Sequence, residues 1–343
     1  MRKNFKLTLV ALSLLALTAC SAEHEINIPT PQGDEISFGT VNTRAGFSDL
    51  QRDGFAVWGV HFNTAQPYGY LLFDNVSVTH NGSDWVYSPI QRWLPDTTFN
   101  FMAAYPADAG FKSAVYEEEY NGEVFRLNSV VLDDYSTADQ SNIIDLLGAT
   151  AVIDTSVEDY SRTVHLTFNH LLCRINVCIM QDGDQNREDN FIIDKVTLSG
   201  VKTTGDYIFF PMVNIDQYWQ PDETKTTDFS RTFTDNEHIG LAGKRYLSDD
   251  ALYMIPQTIG NERIKLTINF RYGAEGTTDI NLYESKVLEA YLPADVEGKE
   301  PLWQSGKSIT YNVKVSTYNP ITFLAPTVSS WGNLQSGGTI IIK

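Results

Sequence analysis

A chain of 343 residues that is 42% hydrophobic and 12% aromatic can bury more than one sizeable core, which excludes a disordered acidic tail. Its 43 acidic residues outnumber 25 basic ones for a formal charge of −18. Such a surface repels phosphate backbones, so nucleic acid is excluded as a partner.

The chain opens on Arg2, Lys3 and Lys6, and an apolar run from Leu7 to Ala19 follows. That run is too short to span the roughly 30 Å hydrocarbon core of a bilayer as a helix, but has the length of a signal-peptide core. It ends in Leu17-Thr18-Ala19-Cys20, which resembles a bacterial lipobox, in which the cysteine is acylated and the signal removed ahead of it. Residues 1–19 are therefore expected to be a signal peptide, and Cys20 the lipidated residue that tethers the exported chain to a membrane.

Beyond the signal, short period-two segments bounded by Gly, Asn, Asp and Pro predict strands, and no long amphipathic helix interrupts them. Glu35–Val41 is predicted as a strand and Asn42–Gly46 as a turn. Phe55–Val60 and Phe99–Tyr105 follow as strands. The polar stretch Glu158–Arg162 marks an expected domain boundary. After it, Val164, Leu166 and Phe168 alternate on even positions, and Leu171, Cys173, Ile175, Val177 and Ile179 on odd ones. A bulge near Asn169-His170 would join these sets into one buried face, because one extra residue flips the register. It would place Phe168, Cys173 and Ile175 inward and Cys178 outward. The two cysteines then point to opposite faces and stay free.

Five of the tryptophans lie in strand patterns, as core residues. Tyr218 and Trp219, in the loop-like Asp216–Pro221, are the candidates for an exposed aromatic contact with a ligand or partner. Lys265–Tyr272 and Ser308–Val315 alternate cleanly, which argues for antiparallel sandwiches with one wet face. At the end, Thr339–Lys343 follows Gly337-Gly338. Its isoleucines Ile340, Ile341 and Ile342 are apolar on both faces, the pattern of a strand that would pair with another edge. Either they insert into a neighbouring subunit as a donor strand, or they complete the chain's own C-terminal sheet.

Motifs for chemistry fail on inspection. Trp303–Ser308 ends like a phosphate loop but leads into a strand. Asp182–Asn186 begins like a calcium loop, yet Arg187 and Ile193 occupy the positions that need Gly and Glu. The histidines, His165 and His170 among them, lack metal-ligand spacing. The expectation is a protein without catalytic residues, cofactor or metal.

Seven motifs occur in a telling order: Trp85-Val-Tyr87, Arg92–Pro95, Phe99–Pro106, Leu166–Leu172, Val196–Val201, Tyr253–Gln257 and Trp303–Tyr311, with Trp331 near the end. Together they resemble the fimbrillin family of Bacteroidota, the type V pilin subunits and their minor fimbrial relatives. The resemblance implies an all-β protein of two tandem transthyretin-like antiparallel β-sandwich domains, here 46–158 and 159–343. It also implies a lipoprotein precursor held to the outer membrane through its lipid. In that family an arginine-specific protease removes a leader and first strand, here 20–45, and the bond between Arg44 and Ala45 matches the position, although Arg52 is close by. Expected partners are other fimbrial subunits, that protease and the outer membrane. The rival reading is a monomeric surface lipoprotein that binds glycans.

Overall fold

The computed structural model describes residues 33–40, 47–63, 66–120, 123–183, 190–210, 216–241, 243–274, 276–295 and 301–331. The period-two segments fold as strands, and among the described residues one seven-residue α-helix, Phe47–Asp53, stands between the first strand, Ser37–Thr40, and the rest. The chain is all-β, with sheets stacked face to face.

In the first half a six-stranded sheet runs in the order Asn169–His170, Leu147–Asp154, Thr98–Tyr105, Phe55–Asn63, Gln66–His80, Trp85–Val86. Its two central strands are buried on both faces, so Thr98–Tyr105 is buried almost throughout rather than at alternate residues. One face sends Phe55, Val57, Phe99 and Phe101 against Ile36, Phe38, Trp93, Val164 and Phe168. The other sends Ala56, Trp58 and Met102 against Val130, Leu132, Tyr207 and Phe209. This second covering layer is a four-stranded sheet, Asp216–Pro221, Thr204–Phe210, Glu123–Ser136, Lys112–Tyr120. Two of its strands come from each half of the chain.

The second half stacks two sheets. One has Cys173–Gln181 and Lys307–Val315 at its centre, and the other Asn190–Lys202 and Lys265–Gly273. Ile175, Val177, Ile309, Tyr311 and Val313 meet Val196, Leu198, Leu266, Ile268 and Phe270 in one core. Cys173–Gln181 and Lys307–Val315 pair in parallel, as do Ser37–Thr40 and Thr163–Leu166. Clean alternation predicted antiparallel neighbours throughout. The parallel pairs are possible because long connections, one of them containing the whole facing sheet, separate their members in sequence.

Two expectations are corrected. The phase switch is not a bulge within one strand. Thr163–Leu166, Asn169–His170 and Cys173–Gln181 belong to three different sheets, and the chain crosses between them. Val164, Leu166 and Phe168 face the first core, Leu171 the core beneath the four-stranded sheet, and Cys173 onward the second-half core. Cys178 does lie opposite Cys173 on its strand, but it is only 1% exposed. Tyr246 stands opposite it on the neighbouring strand and hydrogen-bonds its sulfur, which pushes the phenol pKa up. Both cysteines are free and buried.

The strand Phe55–Asn63 carries a titratable group in a poor place for charge. His61 stacks on Tyr70 at 5.2 Å, and its Nδ1 is buried without a hydrogen-bond partner. Burial holds its pKa below the ordinary value. The folded state therefore favours the neutral ring, so this contribution is complete above the ordinary pKa of about 6.5 and is lost as pH falls towards the lowered one. Denaturant titrations between about pH 7.5 and 5 should show a decline that His61→Phe makes shallower. An unchanged slope would remove His61 from the account.

Candidate functional site

Two features of the fold present themselves, and the first is a slot occupied by the chain's own early strand. Asp34–Ile36 runs along one wall, where the Trp93 amide donates to Asp34 O at 3.0 Å and the Ile36 amide to Gln91 O at 2.9 Å. Ser37–Thr40 then pairs with the opposite wall, Thr163–Leu166. The approach is so close that a Cβ on Gly33 would stand 2.1 Å from Trp93 O, so glycine is needed there. The alternation of Glu35–Thr40 points Ile36 and Phe38 into the core. Phe38 meets Phe73, Tyr87 and Phe101 edge-on at 5.6, 5.4 and 6.0 Å. The buried Tyr87 hydroxyl donates to Ile36 O at 2.8 Å, and burial pushes its pKa up. Ion pairs at the rim, Arg92–Glu35 and Arg162–Asp34, are exposed and worth about 1 kcal/mol or less each.

The second feature is a cleft of about 890 Å³ where the two halves meet. Its floor is the crossover Asn169–Leu172. The Leu171 carbonyl accepts from Trp219 Nε1 at 2.8 Å and Ser305 Oγ at 2.9 Å, and the Leu172 carbonyl accepts from the Gly306 amide at 2.9 Å. His170 stacks flat on Trp331 at 3.8 Å, with its Nδ1 3.0 Å from Asp145 Oδ1. A smaller pocket of about 310 Å³ shares Lys202, Glu223, Gln257 and Thr258 with this cleft. Lys202 ends a strand whose register shifts after Leu198, at Gly200 with φ +79°. Beyond that irregularity Val201 and Lys202 are both buried. The Lys202 ammonium donates to Glu223 at 2.6 Å, and Arg263 reaches the other carboxylate oxygen. Hydrogen bonds from Lys202 and then Arg263 hold the Glu223 carboxyl below the usual carboxylate range.

Of the sequence candidates, Tyr218 is 43% exposed and Trp219 half-buried. The loop expected around them is a strand, Asp216–Pro221, paired with Thr204–Phe210, and Trp219 packs on Tyr207 at 5.2 Å. Cys20, Arg44, Ala45, Ile340, Ile341 and Ile342 lie outside the described residues. Trp303–Ser308 is a turn into a strand, as expected, and Asp182 pairs with Lys314 at 3.1 Å. Among the described residues no group of His, Cys, Asp and Glu is placed to hold a metal. The sequence reading missed the Lys202–Glu223–Arg263 cluster and the clamp on Leu171. The available signal was Gly200, an isolated glycine inside a strand pattern, which marks a bulge.

A family model described as fimbrillin-like matches residues 43–331. No curated protein matches the chain in sequence. Among solved structures, a fimbrial protein from Bacteroides vulgatus aligns with a TM-score of 0.62 at 18% identity, over 87% of this chain and 99% of that one. That likeness is one of fold. The tip fimbrial protein Mfa3 from Porphyromonas gingivalis, with a C-terminal truncation, aligns over 83% of this chain and 96% of its own at 9% identity. Its TM-score is 0.34. The family match spans most of the sequence, and on it the chain belongs to the fimbrillin-like family.

Proposed function

We propose that this chain is a structural subunit of a cell-surface fimbria, exported as a lipoprotein precursor and polymerised by protease-triggered strand exchange in support of adhesion. It acts by assembly and not by catalysis. Lipid on Cys20 would hold the precursor to the outer membrane until an arginine-specific protease cuts between Arg44 and Ala45. Two tandem transthyretin-like domains would make up the mature subunit. Val164, Leu166 and Phe168 pack in the first core, which supports drawing their division at the crossover 169–172 rather than at 158/159.

The observation that carries this reading is the seated strand Ser37–Thr40. With the residues leading into it, it lies just ahead of Arg44, pairs with Thr163–Leu166 through Ser37–Thr40 and with Gln91–Trp93 through Asp34 and Ile36, and plugs an aromatic core with Ile36 and Phe38. Losing it would expose an apolar slot with unpaired backbone, the condition under which an added strand binds well. Ile340–Ile342 is the matching donor. Head-to-tail contacts of this kind do not close and so propagate into a filament.

Purified precursor treated with arginine-specific protease should form ladders of detergent-resistant oligomers. Arg44→Ala and a chain ending at Gly338 should not, and labelled palmitate should enter wild type but not Cys20→Ser. Ladders from both assembly variants would refute the mechanism. Polymerisation of the Arg44 variant alone would move the cut elsewhere and leave the donor strand standing.

A further inference from the structure

The junction cleft inverts the charge of the molecule. The chain carries 43 acids against 25 lysines and arginines, yet among the described residues the cleft and its adjoining pocket are lined by Lys202, Arg263 and Lys307 against one acid, Glu223. We propose that this cleft binds an acidic carbohydrate, with Lys202 and Arg263 receiving the sugar carboxylate. The proposal goes beyond subunit assembly and does not depend on it.

Lys202 sits at the waist shared by the two spaces, with its side chain only 10% exposed. A buried ammonium is costly unless it is paired, and Glu223 supplies one partner. That pairing uses one of three N–H donors on Lys202, and Arg263 gives one of its five to the same carboxylate. The cluster keeps one net positive charge, and the N–H groups that Glu223 does not use can serve a second carboxylate. The geometry also limits what carries that carboxylate. Thr150, Thr167, Asn169 and Thr258 line the walls with hydroxyls and an amide, groups able to donate and accept, the complement of sugar hydroxyls, while the Ser305 hydroxyl and the Gln257 amide nitrogen donate to backbone carbonyls. Trp219 stands among them, half-buried, its ring fixed by the bond to Leu171 O. An amphipathic ring held in place offers apolar contact to a sugar face at low entropic cost.

Calorimetric titration of the unprocessed full chain tests this, with tetragalacturonate and sialyllactose as acidic probes, maltotetraose as the neutral one and a tetraglutamate peptide as the acidic non-sugar. At least one acidic sugar should bind at least tenfold more tightly than maltotetraose and tetraglutamate, and its affinity should fall as salt rises from about 50 to about 500 mM. Arg263→Ala, at an exposed position, should weaken that binding about fivefold, and Lys202→Met about tenfold. Glu223→Gln should tighten it several-fold by removing the competing carboxylate, a gain that misfolding cannot mimic. Binding of neither acidic sugar, equal binding of maltotetraose, or indifference to Arg263→Ala and Glu223→Gln together would overturn the proposal. Preference for tetraglutamate would overturn the carbohydrate assignment in favour of an acidic peptide.

Discussion

Phe38→Ala should lower the stability of the unprocessed chain by about 3–5 kcal/mol in a guanidinium titration, the usual cost of truncating a buried phenylalanine. The residue is 5% exposed and meets four aromatic rings edge-on, including Phe55 at 6.5 Å. Each such pair adds about 0.5–1.5 kcal/mol beyond area burial, so the upper end of the range is expected. Removing the rim pair by Glu35→Ala should cost less than about 1 kcal/mol, since both partners face solvent. The contrast separates two ways of holding a strand. If the plug is apolar, the strand can be replaced by any strand that brings comparable side chains, and isoleucines meet that requirement. If the rim ion pairs held it, an Ile-rich replacement would not serve. Equal small effects, both below about 1 kcal/mol, would mean that Ser37–Thr40 is not seated as described and would remove the main support for strand exchange.

Most strands were legible because period two is a direct consequence of one face meeting a core. Lys265–Gly273 and Lys307–Val315 follow it nearly without exception. Thr98–Tyr105 does not, because sheets cover it on both sides, and pattern alone cannot say how many layers will stack. The phase change at Asn169-His170 was visible, but a bulge and a crossing between sheets leave the same trace in one dimension. What distinguishes them is the identity of the neighbours, Leu147 and Gly148 on one side and Met254 and Ile309 on the other, which are far away in sequence. The same limit hid the cleft. Lys202, Glu223 and Arg263 belong to a strand end and two turns, and only folding brings them within hydrogen-bond reach. Trp219, expected in an exposed loop, lies half-buried in a strand, and its indole clamps the crossover.

Phe168→Ala and Ile175→Ala provide the test of how the two halves are joined. Both side chains are fully buried, so each truncation should cost about 2–5 kcal/mol. Phe168 packs on Phe55 at 5.2 Å in the first core, whereas Ile175 belongs to the second. With no shared cluster, their effects should add to within about 0.5 kcal/mol in the double variant. Tandem domains with little between them would unfold in two steps, each moved by one substitution alone. The fold argues otherwise. Thr204–Phe210 from the second half pairs with Glu123–Ser136 from the first, and Tyr207 and Phe209 fill a core with Trp58 and Met102. Opening either half strips backbone partners and apolar cover from the other, so the cost is shared. A single cooperative transition is therefore expected, displaced as a whole by either substitution and monitored at once by tryptophan fluorescence and far-UV dichroism. Two transitions, with Phe168→Ala moving one and Ile175→Ala the other, would show that the shared sheet does not couple the halves and that each folds on its own.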